Sequence, residues 1–349
     1  MSINTKLLAK ICESPGAPGH EERIRQLIKK EVAKYVDEVF IDNIGNLVTI
    51  KKGKSSDKKV MIAAHMDEIG FMVKHIDDNG FVRFQTLGGF DPKTHTAQRV
   101  IIHGKKDVVG VMASKPIHIM SPEERQKMPK NTDYYIDLGM DKKAVEKLIE
   151  VGDPITRERA LIEMGDCVNA KSIDNRVSVF ILIEALKQLK APAFDVYGVF
   201  TVQEEVGLRG ADVAAQHINP DFGIALDTTI AFDLPGARPD EMVTKLGEGT
   251  AIKIMDARAI CDPRMIRFMK RMAKKHTIKW QPELLSAGGT DTASVQRGGD
   301  FGSIAGAISI PTRHLHQVIE MANKADISAS IDLLVACLNE IDSEDWTKF

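Results

Sequence analysis

Between Glu21 and Tyr35 the apolar residues Ile24, Leu27, Ile28, Val32 and Tyr35 recur at helical spacing, behind the breaker-rich Ser14-Pro15-Gly16-Ala17-Pro18-Gly19. The pattern predicts an amphipathic helix with a loop before it. Two short strands, residues 39–41 and 47–50, follow on either side of the turn-forming Asp42-Asn43-Ile44-Gly45-Asn46. The uncharged run Val60-Met61-Ile62-Ala63-Ala64 then reads as a central strand covered on both faces. From about Gly70 the texture changes to short alternating segments broken by Asp77-Asp78-Asn79-Gly80, Gly88-Gly89 and His103-Gly104, with strands at residues 100–102 and 108–112. A polar stretch at 121–133, a helix around 142–149 and the turn Gly152-Asp153-Pro154 complete this block.

After Cys167 helices and strands alternate again: a helix at 177–189, strands at 196–202 and 222–226, and a helix at 264–275. A C-terminal helix carries Ile327, Ile331, Leu334, Val335, Leu338 and Ile341 on one face. The predicted fold class is α/β, a mixed and mostly parallel sheet with helices on both faces and a small β unit inserted. Residues 1–69 and 166–349 are assigned to the α/β domain and 70–165 to the insertion.

The 349 residues, 43% of them hydrophobic, exceed what one core usually holds, in keeping with two domains. Lys and Arg total 47 against 49 for Asp and Glu, so no cationic excess exists for nucleic acid or an anionic membrane surface. No apolar run approaches the roughly 20 residues of a membrane span, and Lys6 and Lys10 interrupt the N-terminal apolar stretch. Cys12, Cys167, Cys261 and Cys337 are far apart, which predicts buried thiols in a reducing cytoplasm rather than disulfides or thiolate metal sites.

Five places in the α/β parts share one feature: a strand ends, or a helix begins, at His, Asp or Glu. They are His65-Met66-Asp67-Glu68, Asp174-Asn175-Arg176, Glu204-Glu205, Asp227 and His316. Singly, each has an ordinary reading as a loop histidine, a helix cap, a turn former or a solvated strand end. Jointly they predict a polar cluster, because ligands of open α/β sheets bind beyond the carboxyl ends of the strands. Asp174, Glu205 and Asp227 cannot all stay ionised a few ångströms apart without cations. Two divalent metals and a bridging hydroxide balance the site. Imidazole and carboxylate donors suit Zn, Co or Mn, and Asp174, held at a helix start, is rigid enough to bridge. Asp67 can accept the other His65 N–H and fix its tautomer. Glu204 is the natural general base.

Taken together, His65-Met66-Asp67-Glu68, Asp174-Asn175-Arg176, Glu204-Glu205, Asp227, Gly288-Gly289-Thr290-Asp291 and His314-Leu315-His316 resemble the tetrahedral (TET) glutamyl-aminopeptidase-like metallopeptidases, some members of which are labelled endoglucanases. The resemblance runs over nearly the whole chain. It implies a phosphorylase/hydrolase-like metallopeptidase fold with a PDZ-like β-barrel insertion used in assembly into homododecamers. The 109 positions between His65 and Asp174 leave room for that insertion. It also implies a dinuclear aminopeptidase acting on short peptides, with one metal on His65, Asp174 and Asp227 and the other on Asp174, Glu205 and His316. Glu204 would be the base and Asp67 the partner of His65. One departure is His314-Leu315-His316-Gln317, where the family usually has an aromatic, a branched residue, His and a small hydroxyl residue. Alignment with that pattern selects His316 as the ligand, and His314 reads as a substrate contact or an ordinary loop histidine.

Three other readings compete. A glycoside hydrolase needs two carboxyl groups facing each other across a bond, and adjacent Glu204 and Glu205 make a poor pair. A catalytically silent assembly protein is disfavoured by the complete ligand set. A carboxypeptidase or deacylase could use the same metals, and only the position of the insertion favours an aminopeptidase.

Overall fold

The uncharged run at residues 60–64 forms the inner half of a strand, Ser55–His65, in the middle of an eleven-stranded sheet in the computed structural model, which describes residues 3–348. Its alternate side chains supply two different cores. Val60, Ile62 and Ala64 enter the larger core with the helix Ile173–Gln188, whereas Met61 and Ala63 join Val199, Ala215 and Val295 on the other face. A strand covered on both faces needs no polar side, which is why this run reads as uninterrupted.

Along the sheet the strands run Glu38–Ile41, Leu47–Lys51, Phe194–Thr201, Ser55–His65, Phe222–Ile230, Ile304–Arg313, Glu320–Asn323, Cys167–Ala170 and Ile162–Met164. Thr250–Met255 branches from Ile304–Arg313 and pairs with Trp280–Leu284. The sheet is mixed. Phe194–Thr201, Ser55–His65, Phe222–Ile230 and Ile304–Arg313 are parallel to one another, and the strands flanking them are antiparallel. The four parallel strands therefore present their carboxyl ends at one edge. Register places Thr201 beside His65 and Ala225 beside Ala63, which brings Asp227 to the level of His65.

The helix Ile173–Gln188 is buried on nearly every side, packed against the sheet, the helix Thr5–Glu13 and the C-terminal helix Lys324–Glu340. The helices Arg209–Ile218 and Thr292–Arg297 cover the opposite face. Between His65 and Ile173 the chain makes a closed barrel from the strands Gly70–Ile76, Val82–Leu87, Tyr134–Asp137, Asp107–Ser114, Gln98–His103 and Pro154–Arg157. Phe71, Val82, Val100, Ile102, Ile136 and Ile155 fill it. All barrel pairings are antiparallel, and two of them, Gly70–Ile76 with Val82–Leu87 and Gln98–His103 with Asp107–Ser114, are hairpins closed by short turns.

Several particulars differ from the pattern in the sequence. Thr5–Glu13 is helical, with Leu7, Leu8, Ile11 and Cys12 buried and the Asn4 side chain accepting the Leu7 N–H. The helix expected at 142–149 is the shorter Lys142–Glu146. The strand expected to end before Asp227 continues through it to Ile230, because Ile304–Arg313 pairs alongside as far as Thr312. The hairpin of Ile162–Met164 with Cys167–Ala170 joins the large sheet, so the division at 165/166 falls in its turn. All four cysteines are free; Cys12, Cys261 and Cys337 are buried, while Cys167 is partly exposed because it starts a strand near the edge of the sheet. Among the described residues no helix is long and apolar enough to cross a membrane.

Candidate active site

His65 closes its strand at 2% exposure, and the chain then turns under the neighbouring strand, with Met66 N–H donating to Thr201 O at 2.8 Å. Asp67, fully buried, uses both carboxylate oxygens to accept the Glu204 and Glu205 backbone N–H groups at 3.1 Å each. That pair of bonds fixes the Glu204-Glu205 loop to the His65 loop. Asn46 steadies the same loop from the other side, its Oδ1 accepting Val202 N–H at 3.0 Å and its Nδ2 donating to Gly210 O at 2.9 Å. Gly210 has no room for a side chain there, since a Cβ would lie 2.5 Å from Val202 O.

Asp174 sits in the first turn of the long helix with non-helical φ/ψ of −74° and 108°, and its peptide bond to Asn175 is cis. Its N–H donates to Glu320 Oε2 at 2.9 Å, and Asn175 Nδ2 donates to Leu226 O at 2.9 Å, tying the helix start to the strand of Asp227. Behind them lies a buried charge group. Glu68 accepts from Lys171 Nζ at 2.5 Å and from Ser172 Oγ, with Arg176 Nη2 at 3.6 Å from its other oxygen.

These supports converge on one edge of the sheet. His65 Nε2 lies 3.3 Å from Asp174 Oδ1, 3.7 Å from Asp227 Oδ1 and 3.8 Å from Glu204 Oε2. His316 Nε2 lies 3.4 Å from Asp174 Oδ2 and 3.7 Å from Glu205 Oε2. Donor atoms of His65, Asp174 and Glu205, and those of His65, Glu204 and Asp227, gather within 4.8 Å of one another. The residues singled out in the sequence thus come together, with Glu204 as close to the cluster as the others. Asp67 Oδ1 stands 3.4 Å from His65 Nδ1, too far out of line for a hydrogen bond, so among the described residues Nδ1 has no hydrogen-bond partner.

The electrostatics of the cluster call for cations. Burial, reinforced by Asp227, Glu205 and Asp291, holds the Glu204 carboxyl well above the usual carboxylate range. Burial and then Asp174 push Glu205 up to about 8. Burial opposes charge on His65, yet Glu204, Asp174, Asp227 and Asp67 together hold its imidazole well above the ordinary value. His316 is likewise raised to about 10 by Asp174 and Glu205 against burial. Asp174 Oδ1 and Glu205 Oε1 are buried without a hydrogen-bond partner. Oxygen and imidazole donors crowded at 3.3–3.8 Å with orphaned oxygens are a donor set that divalent cations fit.

A cavity of about 680 Å³ opens onto the cluster. Gly288, Gly289 and Thr290 line it, whereas Asp291 is buried behind them and accepts from Thr201 Oγ1 at 2.5 Å. Leu315 and His316 also line it and His314 does not. Glu320, Arg157 and Gly89 were not visible as site residues in the sequence. The only trace of Glu320 is a carboxylate four positions after His316 in an otherwise neutral stretch, and nothing marks the other two.

The M42 glutamyl aminopeptidase model matches residues 45–333. A putative aminopeptidase of Acetivibrio thermocellus is 41% identical over 334 residues, covering 95% of this chain and 97% of that one. Among solved structures, an aminopeptidase from the archaeon Desulfurococcus kamchatkensis superposes with a TM-score of 0.92 at 37% identity, over 96% of this chain and 94% of its own. The Pyrococcus horikoshii TET1 peptidase, described as assembling into a tetrahedron or a large octahedral shell, matches at a TM-score of 0.86 and 31% identity, over 96% of this chain and 99% of its own. With the histidine and carboxylate cluster at the sheet edge and the barrel between its parts, the chain belongs to the M42 glutamyl aminopeptidase family and is an aminopeptidase.

Proposed function

We propose that this aminopeptidase is dinuclear and metal-dependent, and that it releases the N-terminal residue of short peptides. The observation that carries the reading is the placement of the Asp174 carboxylate. Its Oδ1 faces His65 and its Oδ2 faces His316, so one side chain is poised to be shared by two cations. His65, Asp174 and Asp227 would hold the first cation, and Asp174, Glu205 and His316 the second. Zn, Co or Mn all suit this mixture of nitrogen and oxygen donors. When bound, such ions polarise a peptide carbonyl and lower the pKa of water.

The protein's own part is positioning and proton transfer. Glu204, at the cavity wall and beside His65, takes the proton of the attacking water and returns it to the leaving amine. Asp67 holds the Glu204-Glu205 loop by its two backbone bonds and so positions the base, while its charge, 3.4 Å from His65 Nδ1, favours a proton on that nitrogen.

Chelation followed by return of single metals tests the reading. Activity on aminoacyl p-nitroanilides is expected to vanish with the chelator and return with Zn, Co or Mn. Cleavage of glucan oligosaccharides that survives chelation would overturn it in favour of a glycoside hydrolase. The geometry gives that rival little support, since Glu204 and Glu205 each turn toward a histidine.

The barrel is read as the inserted assembly unit, and the chain as a cytoplasmic homododecamer. Ile117, Ile119 and Met128, on the segment between two barrel strands, are 60%, 67% and 65% exposed, an apolar surface of the kind that self-association covers. The shell-forming structural neighbour and the unpaired cysteines support the same picture. Light scattering of the purified chain should read a mass of about twelve chains, and a stable monomer would refute the assembly.

A further inference from the structure

Two contacts on His316 come from the barrel rather than from the sheet that carries the other clustered residues. Arg157, the last residue of Pro154–Arg157 and 3% exposed, donates from Nη1 to the His316 carbonyl at 3.2 Å. Gly89, just beyond Val82–Leu87, accepts at its carbonyl from His316 Nδ1 at 2.8 Å. A carbonyl can only accept, so this bond requires the proton on Nδ1 and makes Nε2, which faces Asp174 and Glu205, the nitrogen that can lose its proton to serve a cation.

The two barrel elements also hold each other. The Arg157 guanidinium lies 5.4 Å from the centre of the Phe90 ring, and Phe90 stacks on Phe71 at 4.6 Å. His316 needs such support, because its φ of +60° is in the left-handed region that non-glycine residues keep only when their surroundings hold them. Its ring is otherwise weakly packed, with 39% of the side chain exposed. Arg157 pairs with no single carboxylate. Among the described residues its Nε and Nη2 have no hydrogen-bond partner, and its charge acts jointly on Glu320, Glu68, Glu205 and Asp174.

We infer that Arg157 is a positioning residue through which the barrel completes the active site: it fixes the backbone of His316, as Gly89 fixes its ring, and so sets the affinity of the second metal position. The inference rests on the ligand assignment proposed above. Supporting groups of this kind typically alter metal affinity about 10–100-fold.

Three variants separate the inference from the reading beneath it. His316→Ala should retain one metal ion per chain instead of two, and retention of both would overturn the ligand assignment itself. Arg157→Lys keeps the buried cation but loses the planar donor, and Arg157→Met keeps the stem and loses the charge. In chelator-competition titrations with Zn, both should bind the first ion as wild type does and the second about 10–100-fold more weakly. The visible spectrum of the cobalt-loaded protein should show the loss of one site at limiting metal, and raising the metal concentration should restore turnover. If the Met variant does not fold, the Lys variant decides. Second-ion affinity within about twofold of wild type in Arg157→Lys, alongside a His316→Ala variant that has lost one ion, would refute the positioning role while leaving the ligand assignment intact.

Discussion

Glu204→Gln is expected to keep two metal ions per chain while turnover of an aminoacyl chromogenic substrate falls by roughly 10²–10⁴. The amide preserves the size of the side chain but cannot take a proton from water or return one to the leaving amine. The loss should appear in kcat with little change in KM, because Glu204 serves the transition state rather than the bound peptide. Metal analysis after gel filtration and steady-state kinetics check both halves. The geometry makes this a demanding test, since Glu204 Oε2 stands 3.8 Å from His65 Nε2, almost as near as Asp227 Oδ1 at 3.7 Å. Loss of an ion would make Glu204 a ligand and send the search for the base elsewhere, while full activity would remove it from the chemistry altogether.

Asp174→Ala should have the opposite signature, with both ions lost and activity reduced to background. The side chain faces both histidines, so its removal takes a donor from each proposed metal position at once. Glu320 would lose nothing, because it accepts the Asp174 backbone N–H rather than its side chain. The helix start should therefore persist, and circular dichroism of the metal-free variant should match that of metal-free wild type. Thermal melts supply the second reading. At a free ion concentration about a hundredfold above Kd, each bound ion adds about 2.7 kcal/mol to wild-type stability, and the variant should show no such rise. A variant that retains both ions would rule out the bridging role.

Both predictions concern residues that the pattern in the sequence had already singled out. His65, Glu204 and Glu205 follow uncharged runs, and an abrupt charge after a buried strand is visible without a structure. Asp174 precedes a run apolar enough to be a buried helix. The opposite case is Thr5–Glu13. A helix of nine residues is marginal alone, and this one gains its stability by packing Leu8 and Ile11 in the same core as Ile173–Gln188, a partner more than 160 positions away. The strand Phe222–Ile230 extends through Asp227-Thr228-Thr229 for a similar reason. Polar residues there suggest a turn, yet Thr229 donates to the buried Glu283 at 2.8 Å, from a strand not adjacent to its own.

The sequence by itself determined the α/β class, the change of texture near Gly70 and the set of residues that form the cluster. Each of these depends on neighbours along the chain: the period of burial, the turn residues, and charges at the ends of apolar runs. The tertiary structure alone decided how those residues face one another, with Asp174 between His65 and His316 and Asp67 spanning two backbone N–H groups rather than one ring nitrogen. It also decided which silent residues support them. Arg157 and Gly89 are unremarkable in a strand and a turn, and acquire a role only when the barrel docks against the loop of His316. Contacts of that kind join segments about 160 and 230 positions apart, so no local pattern of polarity can encode them.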